Sequence, residues 1–106
     1  MGMLALDVID EYVDRMRRAL DAAMYYREVD ADALASRIGV DRSTIHRWLR
    51  GDTVMSAAHA SAVATALDAP SDLLLRPPET RERALAMMAA WDELRLGAPP
   101  PDPWLP

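Results

Sequence analysis

The sequence predicts an all-α fold, and three observations carry that prediction. Strand signals are missing, because no run of alternating Val, Ile, Thr or Tyr lies between turn pairs. Apolar residues instead recur at three- and four-residue spacing through most of the chain. Short polar or glycine-containing breaks separate these segments, and residues that start and stop helices stand at the breaks.

The first helix is predicted from about Leu6 to Glu28. Ile9, Val13, Met16, Leu20 and Met24 form a stripe that faces a core. Asp7, Asp10, Glu11 and Asp14 crowd its first turns, where the helix dipole favours negative charge. Arg15, Arg17, Arg18 and Arg27 follow. Such a charge run is ordinarily a solvated face; the alternative has Arg15 or Arg18 touching phosphate. A second helix, Ala31 to Ile38, starts after Asp30, a good N-cap, and buries Leu34, Ala35 and Ile38. It stops at Gly39, which takes the left-handed conformation a helix end needs.

A third helix runs from Arg42 to Arg50, with Asp41 as N-cap and Gly51 as its stop. The fourth, Ser56 to Leu67, is capped by Ser56 and turns Ala60, Val63, Ala64 and Leu67 inward. A short fifth helix covers Ser71 to Leu75, after Pro70. Pro77-Pro78 breaks the chain, and a sixth helix, Glu79 to Leu96, ends at Gly97. Ala98 to Pro106 holds five prolines in nine residues and reads as an extended, polyproline-like tail. The expected organisation is thus a unit over residues 1–76, a C-terminal helix over 77–97 and a Pro-rich tail over 98–106.

A chain of 106 residues supports one modest core. It contains no cysteine, which excludes disulfides, thiolate metal sites, iron–sulfur clusters and cysteine nucleophiles. Two histidines are too few for a histidine-rich metal site. No cofactor is expected. All 12 basic residues are arginine, and the net charge is −5 with a pI near 4.8. That balance disfavours a protein that coats nucleic acid nonspecifically, but it leaves room for a small basic patch. The start, with Asp7 and no basic segment, is not a signal peptide, and Leu6 spoils a myristoylation start. No apolar run approaches a membrane span of roughly 18 residues. The expected setting is the cytoplasm of a bacterial host cell.

The informative stretch is Asp30 to Leu75, in which a short helix, a turn opened by glycine and a second short helix form a helix-turn-helix. Ala35 is small where the two helices cross, Gly39 makes the turn, Val40 plugs the core and Ile45 anchors the second helix. On a wheel of about 100° per residue, Ile45, Trp48 and Leu49 cluster on one side of that helix. Ser43, Arg47 and Arg50 lie opposite, flanked by Thr44 and His46, with Arg42 at the exposed N-terminal end. These groups suit base edges and phosphates in a major groove. Ser36 to Gly51 holds four arginines against Asp41, a local +3, so the rest of the chain carries −8.

These residues resemble the Cro/repressor family of Xre-type helix-turn-helix regulators, known from phages and bacteria; the arginine- and alanine-rich composition suits a GC-rich, actinobacterial source. The resemblance covers about Tyr12 to Leu75, including LASRIGVDRSTIHRWLRG, AVATAL and the closing APSDLLL. It implies a five-helix, lambda-repressor-like helix-turn-helix domain, here with an extra C-terminal helix and a Pro-rich tail. It further implies base reading by Arg42, Ser43 and Arg47, with Thr44 and His46 beside them. Phosphate contact falls to Arg50, Thr53 and Ser56. Two departures stand out. The family often has glutamine where this chain has Ala31, and Asp41 and Asp52 bracket the reading helix with negative charge.

Arg42 and Arg47 are read as DNA contacts rather than solvated surface. His46 is read as a neutral surface residue rather than a pH switch, His59 as structural and Trp48 as core. Leu85, Met88, Trp91 and Leu94 recur at helical spacing, with Met87 beside them. They either pack back along the first helix or form a dimer contact, since regulators of this family commonly bind as two-fold dimers. Trp104-Leu105 is either a loose end or a hydrophobic clip for a neighbour. The expected function is a noncatalytic, sequence-specific regulator of the phage Cro/repressor kind. Its partners are a double-stranded DNA operator and a second copy of the chain, with no membrane. The alternative is a protein-binding module such as an antitoxin, acting on a protein partner. No nucleophile–base pair, paired-carboxylate cleft or phosphate-cradling glycine loop points to an enzyme.

Overall fold

The computed structural model describes the backbone of residues 2–97 and the side chains of residues 8–95. The Pro-rich tail 98–106, with Trp104 and Leu105, lies outside the described residues. Among those described, all regular structure is helical: α1 (Gly2–Arg27), α2 (Ala31–Ile38), α3 (Arg42–Arg50), α4 (Ala57–Ala66), α5 (Asp72–Leu75) and α6 (Arg81–Asp92). A wider turn of π type over Glu93–Gly97 follows α6.

Each short helix begins and ends where local chemistry dictates. The Asp30 carboxylate accepts the Ala33 N–H at 2.8 Å, and the Ser56 hydroxyl accepts the His59 N–H at 3.1 Å. Gly39 and Gly51, at φ of 74° and 78°, close α2 and α3 in the left-handed region. Two further helix ends use the same conformation without glycine. Glu28 follows α1 at φ 55° and Asp68 follows α4 at φ 51°, and Val29 N–H and Ala69 N–H reach back to Met24 O and Ala64 O. Thr80 starts α6 by accepting the Arg83 N–H, so the helix begins two residues after the expected Glu79.

The core is one contiguous cluster. Met16 and Leu20 of α1, Leu34 of α2, Ile45 and Trp48 of α3, Val63 of α4, Leu73 and Leu74 of α5 and Met88 of α6 all meet in it. Ala19, Ala22 and Ala23 are also buried, and their small side chains let neighbours approach the middle of α1. The predicted α1 stripe holds from Met16 onward, with Val13 half-covered, but fails at Ile9, which is 54% exposed. The apolar stripe thus runs on past the residues that the body covers.

The C-terminal helix packs back along α1. Met88 and Ala84 are fully buried, and Leu85 and Met87 lie partly covered on the same core. Arg81 pairs with Asp21 at one end and Asp92 with Arg27 at the other, so α6 runs parallel to α1. Arg27 is the main tie. Its guanidinium grips both Asp92 oxygens at 2.6 and 2.7 Å and donates to Leu67 O at 2.8 Å and Asp68 O at 2.6 Å. One side chain thus links the ends of α1, α4 and α6, satisfying carbonyls that a helix end leaves open. The donated hydrogen bonds hold the Asp92 carboxyl below the ordinary carboxylate range, and the Asp92 carboxylate in turn raises Arg27.

Of the four residues considered for a dimer contact, Met88 therefore has no surface to offer. Leu85 is partly covered, and Trp91 is half-buried and donates to the Asp68 carboxylate at 3.3 Å. Leu94 alone of the four is widely exposed, at 70%.

Candidate nucleic-acid interface

The site is the outer face of α3, and its geometry follows from how α3 is held. Ile45 and Trp48 are buried and Leu49 is half-buried, which fixes the rotation of the helix about its axis. Arg42, Ser43, His46, Arg47 and Arg50 are then all exposed, with Thr44 half-covered beside them. The structure thus gathers all three predicted base readers on one surface. Thr53 and Ser56 are exposed in and after the loop that follows α3. The Ser56 oxygen is occupied as an acceptor by the α4 cap, which leaves its O–H free to donate.

Both histidines are exposed. His46 is exposed on the outer face. The His59 ring sits 5.3 Å from the Trp48 ring at 52°, covering the tryptophan from the α4 side. His59 itself is exposed, so its ring lies over the edge of the core.

The arginines differ in how they are held. Arg47 Nη2 donates to Thr44 Oγ1 at 3.4 Å, a neutral and weak tether. Arg42 Nε lies 3.5 Å from the Asp32 carboxylate and Arg50 Nε 2.9 Å from that of Asp52. Both ion pairs are mostly exposed, so each contributes less than about 1 kcal/mol and is easily exchanged for a phosphate or base edge. Asp41 starts α3 without a side-chain hydrogen bond to the helix. Ala31, where the family often carries glutamine, is buried and serves the core.

Two details depart from sequence reasoning. Arg37, counted in the local +3, donates to Ala66 O at 3.1 Å and serves the end of α4 rather than the α3 face. Of the α1 arginines, Arg15 and Arg18 turn toward Glu11 and the Glu79 region. Arg17 is instead the one beside α3. A Cβ on Gly51 would come within 3.3 Å of Arg17 Cδ and 3.2 Å of Val13 Cγ1, so Arg17 lies against the C-terminal end of α3. The signal was present: Arg17 is one turn after Val13, and Val13 belongs to the inward stripe.

Residues 29–74 match the family model described as helix-turn-helix, a span that runs from the approach to α2 to the fifth helix. Searches of curated proteins and of solved structures find no match. Among the described residues, no helix is long and apolar enough to cross a membrane.

Proposed function

From a chain whose residues 29–74 form a helix-turn-helix domain of the Cro/repressor (Xre) type, we infer a DNA-binding regulator that reads sequence through α3. The observation that carries this reading is the division of α3 itself. Ile45 and Trp48 lock one face into the core, while Arg42, Ser43 and Arg47 stand together on the other. Arginine suits the O6 and N7 acceptors of guanine in the major groove. Thr44, His46, Arg50, Thr53 and Ser56 border that face and serve as secondary or phosphate contacts, and Arg17 joins them from α1.

The regulator acts without catalysis on double-stranded operator DNA, in a bacterial cytoplasm, in the manner of a phage Cro or repressor. One such helix covers only a few base pairs, so two copies related by a two-fold axis supply the specificity. The experiment is selection of bound sites from a random duplex pool. It should return two inverted half-sites about 34 Å apart centre to centre. A pool that shows no enriched sequence would overturn the reading.

A second reading has a specific observation behind it. Asp32 and Asp52 sit on Arg42 and Arg50, muting the positive charge of the face. Such a face also suits a protein partner, as in an antitoxin. Salt separates the two: DNA binding falls steeply with ionic strength because phosphate contacts release counterions, whereas a protein partner gives a shallow slope.

A further inference from the structure

We propose that the groove between α1 and the end of α5 is a binding site for a small apolar carboxylate, a ligand with one acidic head and a short hydrocarbon body. The groove holds about 490 Å³, the size of a small-ligand site. One wall is a single face of α1, with Val8, Glu11, Tyr12 and Arg15 at helical spacing. The other is Leu75, Arg76 and Pro77, where α5 gives way to the link before α6. Val8 and Leu75 are 65% and 39% exposed, so both walls offer open aliphatic surface. From Val8 to Arg15 the helix rises about 10 Å, which matches an extended chain of about eight carbons.

The charges at the rim select the head group. Arg15 is already engaged, since its guanidinium meets Glu11 and lies 3.7 Å from Glu79. Glu11 and Glu79 are thereby matched as well. Arg76, on the opposite wall, is exposed and has no carboxylate within 4 Å among the described residues. The Tyr12 hydroxyl is a further donor on the α1 wall. A carboxylate entering the groove therefore meets an unmatched guanidinium and a phenol. A cation meets only carboxylates that Arg15 already holds. A protein partner asks for more than this place offers. A stable interface covers about 800 Å² on each side. Here Val8, Ile9 and Leu75 are the large aliphatic side chains exposed among the described residues.

Binding is measured without DNA, so its outcome is separate from that of the operator reading. Octanoate titrated into the full chain and followed by amide NMR should saturate at one molecule per chain. The largest shifts should fall at Val8, Tyr12, Leu75 and Arg76. Octanol and octylammonium should each bind at least tenfold more weakly, since neither accepts a charge-assisted pair from Arg76. Arg76→Glu should weaken octanoate at least tenfold and turn the preference toward octylammonium, whereas Arg76→Lys should keep octanoate bound. Arg76 is exposed, so the thermal melts of both variants should match that of the parent chain. No saturable shift with octanoate overturns the proposal. So do shifts centred away from the groove, and a head-group preference indifferent to Arg76→Glu. A dimer in sedimentation that Arg76→Glu dissolves gives the groove to a second copy instead. Octanoate binding that appears only with Trp104→Ala gives it to the chain's own tail, and either result overturns the ligand site.

Discussion

The helix-turn-helix core, α2 to α5, and the outer pair, α1 with α6, are held together by different means. In the core, each helix is bounded by neighbours in sequence: Asp30 and Gly39 for α2, Gly51 for α3, Ser56 for α4. Inside those bounds a buried tryptophan and isoleucine set the angle of the outer face of α3. The outer pair depends on residues 40 to 65 positions apart, with Arg81 on Asp21 and Arg27 on Asp92, Leu67 O and Asp68 O. The core is thus specified locally and by packing. The outer pair adds long-range polar contacts to the burial of Met16, Leu20, Ala84 and Met88.

The largest way to break that contrast is Trp48→Ala. It removes the buried anchor of α3 and the ring that His59 covers, and should cost roughly 3–5 kcal/mol in chemical denaturation. The whole cluster should unfold with it, because the core is continuous. Arg27→Ala should cost about 1–3 kcal/mol, from charged hydrogen bonds lost to the carbonyls that end α4. Its effect should be uneven. Hydrogen exchange should rise first in α6 and last in α3.

Acid sharpens the same comparison. The Asp92 carboxyl is held below its ordinary range by Arg27, so its contribution is present above about pH 4 and is lost as pH falls through its folded value. Below about pH 4, amide exchange in α6 should accelerate relative to α3, and Asp92→Asn should remove that difference. The smallest effect is expected at Glu28, which closes α1 at φ 55°. Glu28→Gly relieves the left-handed backbone and should be stabilising by about 0.5–1 kcal/mol in a thermal melt.

The sequence reading was most reliable where one residue type decides the outcome. Glycine at 39 and 51 and hydroxyl or carboxylate caps at 30 and 56 placed α2, α3 and α4 almost to the residue. The wheel of α3 separated Ile45 and Trp48 from Arg42 and Arg47 because a short helix pinned by two buried residues has little freedom to rotate. The ends of α1 and α4 were read to within a residue, at Glu28 and Leu67, but the left-handed backbone at Glu28 and Asp68 was not legible, since it is imposed by the hydrogen bonds that close the helices behind them. The placements of Arg37 and Arg17 were missed for a similar reason. A local charge count puts Arg37 near the reading face, yet the carbonyl of Ala66, 29 residues away, takes it. Arg17 reaches α3 only through the crossing at Gly51. Periodicity also ran too far at Ile9, because spacing describes a stripe and says nothing of where its covering elements stop.

On the proposed reading, the exposed face of α3 distinguishes one DNA sequence from another. Its most direct test is the ratio of affinities for the selected site and a scrambled duplex at one fixed salt concentration, measured for the parent chain, Arg42→Ala, Arg47→Ala and Arg50→Ala. Each of the first two variants should lose about 1–3 kcal/mol of discrimination. Arg50→Ala should weaken both duplexes alike and lower the salt slope by about one, which leaves the ratio intact. Unchanged ratios for Arg42→Ala and Arg47→Ala, in proteins shown to be folded, would contradict the assignment of α3 as the reading helix.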